Sequence, residues 1–459
     1  MPCAILLIGL LFYSWGRVTA ETASQFIVSA KMVVSQNPPA DTEVRRLEKG
    51  QSIERELAGG ETHTYQIALA SGHAFQAIVD QHGIDLVVAI YDPAEKKLAE
   101  VDRPNGVRGP ESISIIAATT GYHRLVLRSL EKRSSSGRYR IFFKELRPAT
   151  QQDATRVAAE QAVTEGSRLM GRETADSLRQ AITQFDLALK LWRSLQERYE
   201  EAIALYGLGW SHNTLGEYQQ AVHYFSQSYL LMQAEQSQSG STQTQKGLAW
   251  SHFYLGEIEQ AREYFSQSLL ADQKSGNARG VGIALYGLGW VSCLAKENQK
   301  ALDYFSRSLV IRRELKDRRG EALALAGLAR IYRRLDDKKS EALDHLQHAL
   351  QLLREIGDQN GEADMLVNLG WVCYSLRQDA QAQDYFEQAL KLSNAIGDRP
   401  CQATTRYGLA ALADRMGQLR EACHQMEAAI EIIESLRSRG ANQQLRTSYL
   451  SATQEYYDH

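Results

Sequence analysis

Apolar residues change their period once along the chain, near residue 150. Before that point the period is two. Tyr65, Ile67 and Leu69 alternate with polar residues, as do Phe75, Ala77 and Val79, then Leu86, Val88 and Ile90, then Ile113 and Ile115, then Tyr139, Ile141 and Phe143. The runs are bounded by Gly59-Gly60, Ser71-Gly72, Gly83, Asp92-Pro93, Pro104-Asn105-Gly106, Gly109-Pro110, Gly121 and Ser134 to Gly137. Short alternating runs between turn residues predict strands with one buried face, about eight of them over residues 45–147. That count predicts a small all-β sandwich.

From residue 153 the pattern repeats every 40 or 41 residues. Ala181, Ala221, Ala261, Ala301, Ala342, Ala382 and Ala422 form one column, and four residues on stand Phe185, Phe225, Phe265, Phe305, Leu346, Phe386 and Met426. Three further on is a small residue: Ala188, Ser228, Ser268, Ser308, Ala349, Ala389 and Ala429. Upstream, Leu208, Leu248, Leu288, Leu328, Leu369 and Leu409 recur, each followed by Gly or Ala. A fixed period in this range predicts a solenoid whose units cannot bury their faces alone. Small residues let two helices approach, and the Phe of one fills the hole its neighbour leaves. Residues 153–438 therefore predict about seven helical hairpins, the first of them a cap. Arg147-Pro148-Ala149-Thr150 marks the composition break and predicts two separable domains.

Two resemblances follow from these residues. Leu-Gly, then Gly216 and Tyr218, then Ala, Phe and a small residue is similar to the tetratricopeptide (TPR) pattern, here about one turn longer per helix. Glu56-Leu57-Ala58-Gly59-Gly60-Glu61, Gln81-His82-Gly83-Ile84-Asp85, Tyr91-Asp92-Pro93, Ala99-Glu100-Val101-Asp102 and Gly137-Arg138-Tyr139 resemble the bacterial pre-peptidase C-terminal (PPC) β-sandwich. Ser438-Arg439-Gly440, Leu445-Arg446, Ser448-Tyr449-Leu450 and Gln454-Glu455-Tyr456-Tyr457 resemble the segment that leads, in bacterial CHAT proteins, from a TPR array into a caspase-like peptidase domain. Residues 439–459 are then a C-terminal helix. The peptidase domain's His and Cys have no positions here, so the resemblance carries over no catalytic residue.

The TPR resemblance implies a superhelical solenoid with a concave groove lined by first helices. Its ninth position holds Trp210, Trp250, Trp290, Arg330, Trp371 and Ala411, and its fifth holds Tyr206, Lys246, Tyr286, Ala326, Val367 and Tyr407. The twelfth and thirteenth add Phe253, Tyr254, Tyr374, Arg333 and Arg334. The expected peptide-binding groove is Tyr206, Trp210, Trp250, Phe253, Tyr254, Tyr286, Trp290, Arg330, Arg333, Arg334, Trp371 and Tyr374. Rigid aromatic area and Arg forks suit a partner with apolar anchors and an acidic group. The competing reading makes the Trp column core, as aromatic stripes at helical spacing usually are. Arg330 and Ala411 in that column favour the groove, since a core position rarely takes an unpaired Arg.

Composition narrows the function. Net charge is -3, without the basic surplus of a nucleic-acid binder. Pro numbers 8, which suits a helical chain, and 5 Cys cannot staple so long a protein. Cys293, Cys373, Cys401 and Cys423 form no CxxC pair and read as small hydrophobes, with Cys401 placed in a turn. His63, His73, His82 and His123, with Asp80, Asp85, Asp92 and Asp102, have no ligand spacing and read as turn and surface residues. No catalytic motif, cofactor site or metal site is expected. Ala4 to Trp15 is apolar, too short to span a membrane, and Val18-Thr19-Ala20 suits cleavage after Ala20. Residues 1–20 predict a signal peptide, followed by a 21–44 linker, and export; left uncleaved, the segment would be a membrane anchor. The expectation is a non-catalytic protein-interaction scaffold. Its rivals are a regulatory part of a split CHAT peptidase and a surface- or carbohydrate-binding module with the array as spacer.

Overall fold

Alternation in the first segment closes into two sheets. The computed structural model describes residues 44–103, 108–129, 136–172 and 174–439. The expected signal segment, the linker through residue 43, the Pro104-Asn105-Gly106 turn and the C-terminal helix beyond Arg439 lie outside the described residues. The strands are β1 (Val44–Arg46), β2 (Ser52–Leu57), β3 (Thr62–Leu69), β4 (His73–His82), β5 (Leu86–Tyr91), β6 (Lys97–Val101), β7 (Arg108–Ile116), β8 (Gly121–Ser129) and β9 (Gly137–Pro148). One sheet has the order β1-β3-β8-β5-β6 and the other β2-β9-β4-β7. Short β1, beyond the eight expected, joins β3 in parallel; every other pairing is antiparallel. All the alternating apolar residues named above lie in one core between the sheets.

Two of the histidines read as surface are interior. His63 and His123 are 8 % and 0 % exposed. Both stand in the interior phase of their strands, next to turn-rich sequence that suggested exposure. His63 Nδ1 lies 2.6 Å from the Tyr139 hydroxyl, itself 2.5 Å from that of Tyr65, so the buried imidazole has a polar partner.

Fourteen helices follow among the described residues. Six hairpins pair α1 (Gln151–Met170) with α2 (Ala175–Leu195), α3 (Arg198–Thr214) with α4 (Tyr218–Ala234), α7 (Ala278–Leu294) with α8 (Asn298–Glu314), α9 (Arg318–Tyr332) with α10 (Lys339–Ile356), α11 (Gln359–Ser375) with α12 (Asp379–Ile396), and α13 (Arg399–Arg415) with α14 (Leu419–Arg439); α5 (Gln238–Tyr254) and α6 (Ile258–Ser275) follow the second of these hairpins in the chain. The Ala and Phe columns are buried as far as Ala382 and Phe386, and glycines make room for the rings. Phe225 sits between Gly209 and Gly247, where an added Cβ would stand 2.6 Å from the ring in each case. Phe305 is held the same way by Gly289 and Gly327, at 2.6 and 2.7 Å, and Phe386 by Gly370 and Gly408, at 2.5 Å each. The ring of a second helix is thus gripped by two successive first helices. Asp317, Asp358 and Asp398 start α9, α11 and α13 by accepting backbone N–H groups of Gly320, Gly361 and Cys401. Cys401 is accordingly the third residue of a helix, not part of a turn.

The described chain divides into two compact units. One holds the sandwich and the helices through Ser251, with Leu270–Asn277; the other holds His252–Leu269 and the chain from Ala278 onward. The composition break at 147–150 is therefore not an open linker. Thr150 caps α1 in a box with Asp153, and Arg147 grips the same carboxylate with Nη2 at 3.0 Å from Oδ1. Burial opposes ionisation of Asp153, but the hydrogen bonds from Arg147 and Thr150 prevail and hold its carboxyl at about 2. A depressed carboxyl contributes stability present above its ordinary value of 3.8 and lost as pH falls toward 2. Asp153→Asn is expected to cost roughly 1–2 kcal/mol at neutral pH and only a small fraction of that at pH 2. Urea midpoints at the two pH values measure this.

Candidate functional site

Large rings on first helices have two places to go: inward over the Phe plugs, or outward. The structure divides the twelve expected groove positions between them. Tyr206, Trp210, Trp250, Tyr286 and Trp290 are interior, at 1–7 % exposure. Trp210 stands edge-on to Phe225 at 5.3 Å between centroids, and Trp290 edge-on to Phe305 at 5.8 Å. Tyr206 and Tyr286 close on the same Phe rings at 5.8 and 5.7 Å. These five are corrected from groove-facing to core. The glycine one residue before Trp210 and Trp290 admits the Phe so deeply that the neighbouring indole lies along it. Burying such a ring outweighs leaving it in water.

Arg330 occupies the Trp column without breaking the packing. It is half-buried, with its guanidinium 5.2 Å over the Trp290 ring. The cation covers the indole's outer face, which is why an Arg fits a column whose first three members are interior.

The other positions keep accessible surface. Phe253, Tyr254, Arg333, Trp371 and Tyr374 are half-buried and Arg334 is exposed. Phe253 and Tyr254 contact each other edge-on at 5.4 Å. Within the second unit Trp371 gathers a cluster, with Tyr374 at 5.5 Å, half-buried Tyr407 at 5.3 Å and the Phe386 plug at 5.5 Å. Arg415 of α13 lies 3.6 Å over the Tyr374 ring, donates to the Tyr374 carbonyl at 2.7 Å and pairs with Asp379. Arg406 donates to Gln425 at 2.8 Å. Arg415 was missed, although continuing the thirteenth column beyond Arg334 reaches it. Three consecutive first helices, α9, α11 and α13, therefore offer Arg330 and Arg333, then Trp371 and Tyr374, then Arg406, Tyr407 and Arg415.

Burial pushes the Cys293 thiol up to about 11 despite Arg330 and Arg334 nearby, and burial does the same to Cys373. Thiols held that high are protonated and unreactive at neutral pH. Among the described residues no three His, Cys, Asp or Glu side chains are grouped as metal ligands, and no helix is long and apolar enough to cross a membrane.

A β-sandwich followed by a solenoid of helical hairpins, with rings and guanidinium groups on first helices, defines a repeat scaffold. Residues 175–238 match one tetratricopeptide-repeat family, and residues 241–314, 291–355, 340–395 and 361–435 match another. The chain belongs to the tetratricopeptide-repeat proteins. Among solved structures it is similar to the Rap conjugation gene regulator of the plasmid pLS20 in complex with a Phr peptide, at 15 % identity and a TM-score of 0.52 over 62 % of this chain and 76 % of that one. A Rap protein complexed with competence and sporulation factor aligns at 12 % identity and 0.50, over 64 % and 89 %. Aspartyl phosphate phosphatase F from Bacillus subtilis aligns at 14 % and 0.50, over 61 % and 71 %. At these identities the likeness shows the fold alone. No curated protein sequence matches the chain.

Proposed function

We propose that the chain is a non-catalytic scaffold that captures a peptide or protein segment on the first-helix face of α9, α11 and α13. The observation that carries this is the cluster of half-buried rings Trp371, Tyr374 and Tyr407, offered beside Arg330 and Arg333. Rings with accessible faces serve as anchors, and Arg groups select an acidic residue next to the apolar ones. Neighbours solved with a Phr peptide and with competence and sporulation factor support a peptide partner. Export belongs to the same proposal and rests on Ala4 to Trp15 and the Val18-Thr19-Ala20 segment.

Peptides selected by display against the whole protein test the reading. They should combine apolar and acidic residues. Trp371→Ala is expected to weaken them by about 2 kcal/mol, roughly 30-fold, and Arg333→Ala by less, chiefly at low salt. Peptides without acidic residues, or indifferent to both substitutions, would remove this face from the function. A second reading, as the regulatory part of a caspase-like peptidase, is favoured by the order of sandwich, 40-residue hairpins and the CHAT-like segment after Ser438. A peptidase sequence encoded in frame beyond His459 would decide for it.

A further inference from the structure

The contact between the sandwich and the first helices buries more acid than base. Glu160 of α1 is 8 % exposed. Its carboxyl accepts the Ser114 backbone N–H at 2.9 Å and the Ser114 hydroxyl at 2.8 Å, both from β7. Arg103, 5 % exposed and just past β6, donates Nε and Nη2 to Glu200 of α3 at 3.2 and 2.8 Å, and Nη1 to the Ser112 carbonyl at 2.6 Å. Glu111 of β7 is fully buried, accepts the Arg103 backbone N–H at 2.9 Å and lies 4.0 Å from Nη1. One guanidinium thus serves three carboxyls. The neighbouring groups do not restore the balance. Asp102 lies among Asp85, Glu100 and Glu111, with Arg128 opposing them; Arg156 of α1 is paired with Glu197, and Arg147 with Asp153.

Buried charge without a counter-charge is costly, and the readiest relief is a proton. We propose that this contact is a proton-linked latch, in which the sandwich holds α1 and α3 most firmly while Glu160 carries a proton and loosens as that carboxyl ionises. Glu160 is the acid suited to the role. Glu200 has the two-pronged contact with Arg103, and Glu111 has the Arg103 N–H and Gln81. Glu160 has only the neutral donors of Ser114 within hydrogen-bond distance. The Ser114 hydroxyl can donate to the ionised carboxyl or accept from the protonated one, so the geometry serves both states. Burial, reinforced by the charge of Glu200, lifts the Glu160 carboxyl to about 7 against the pull of Arg103 and the Ser114 hydrogen bonds. The folded protein therefore keeps a proton that the unfolded chain, near 4.5, releases. The latch is strongest below 4.5, weakens as pH rises toward 7, and stays weak above it.

The test is unfolding of the whole protein as a function of pH, for wild type, Glu160→Gln and Glu200→Gln. The unfolding constant of wild type relative to Glu160→Gln should rise by up to about tenfold per pH unit between 5 and 7, then level off. Glu200→Gln removes a neighbouring negative charge, so its levelling point should move to lower pH. Hydrogen exchange of residues 108–116 and 151–170, corrected for intrinsic rates, should accelerate over the same window. A wild type and Glu160→Gln with equal pH slopes overturn the latch. If Glu160→Gln does not fold, an unmoved levelling point in Glu200→Gln overturns it instead. Exchange at these two segments that ignores pH in the wild type overturns it without any variant.

Discussion

Truncating Phe305 to alanine is expected to cost about 3–5 kcal/mol, because the ring is fully buried and its site cannot collapse onto it. Gly289 and Gly327 are fixed in the backbones of two first helices, and Tyr286 and Trp290 lean on the same ring. Removing the ring leaves a cavity that no flexible side chain fills. Trp290→Ala should cost nearly as much, since its indole contributes to the same packing. In an array of neighbour contacts the damage should stay with the adjacent hairpins. Hydrogen exchange after the substitution should rise over α7 to α9 and leave the sandwich protected. A loss below about 1 kcal/mol in urea unfolding would mean that the ring is not the plug of this joint.

Asp272→Ala is the second substitution expected to do severe harm. Lys246 and Asp272 are 1 % and 2 % exposed, with Nζ 2.7 Å from Oδ2. Asp272 also accepts from Asn277 Nδ2 at 2.8 Å. Deleting one partner of a buried pair strands the other charge, typically at 3–5 kcal/mol. Replacing both, as Lys246→Met with Asp272→Leu, should recover most of the loss, because two apolar side chains need no counter-charge. A double-mutant cycle in urea measures the coupling. If Asp272→Ala alone is mild, the ammonium finds another acceptor there, with Gln243 Oε1 at 3.5 Å one candidate.

The strands and hairpins were legible because their signal is local. Alternation and the 40-residue columns are set by backbone geometry, and each residue reports its own phase. The Trp column shows where that ends. Period tells which residues share an environment; it does not tell which side of the helix that environment is. The side was decided by Gly209 and Gly289, which let a Phe approach closely enough for the indole to lie on it. Lys246 was read as a groove position for the same reason. Its partner Asp272 lies on the following helix, and no column marks the pair. The contacts of Arg103 with Glu200 and of Ser114 with Glu160 join a sandwich to an array with no common period. They became visible only when the chain was folded.

Half of each plug's socket belongs to the next repeat, and this makes the array a sentence rather than a string of identical letters. Where the ring-bearing column holds the smaller Leu346, the two positions that are glycines around Phe225, Phe305 and Phe386 hold Ala329 and Asn368. Size lost on one side is matched by size gained on the other, in the same hairpin at Ala329 and one hairpin away at Asn368. Cutting out the block from Arg318 to Asp358 would keep every helix in phase, yet it would set Phe305 against Asn368. The hairpins are therefore not exchangeable tiles. Their order is written into the backbone spacing, and a shuffled array would have the right composition and period with mismatched joints.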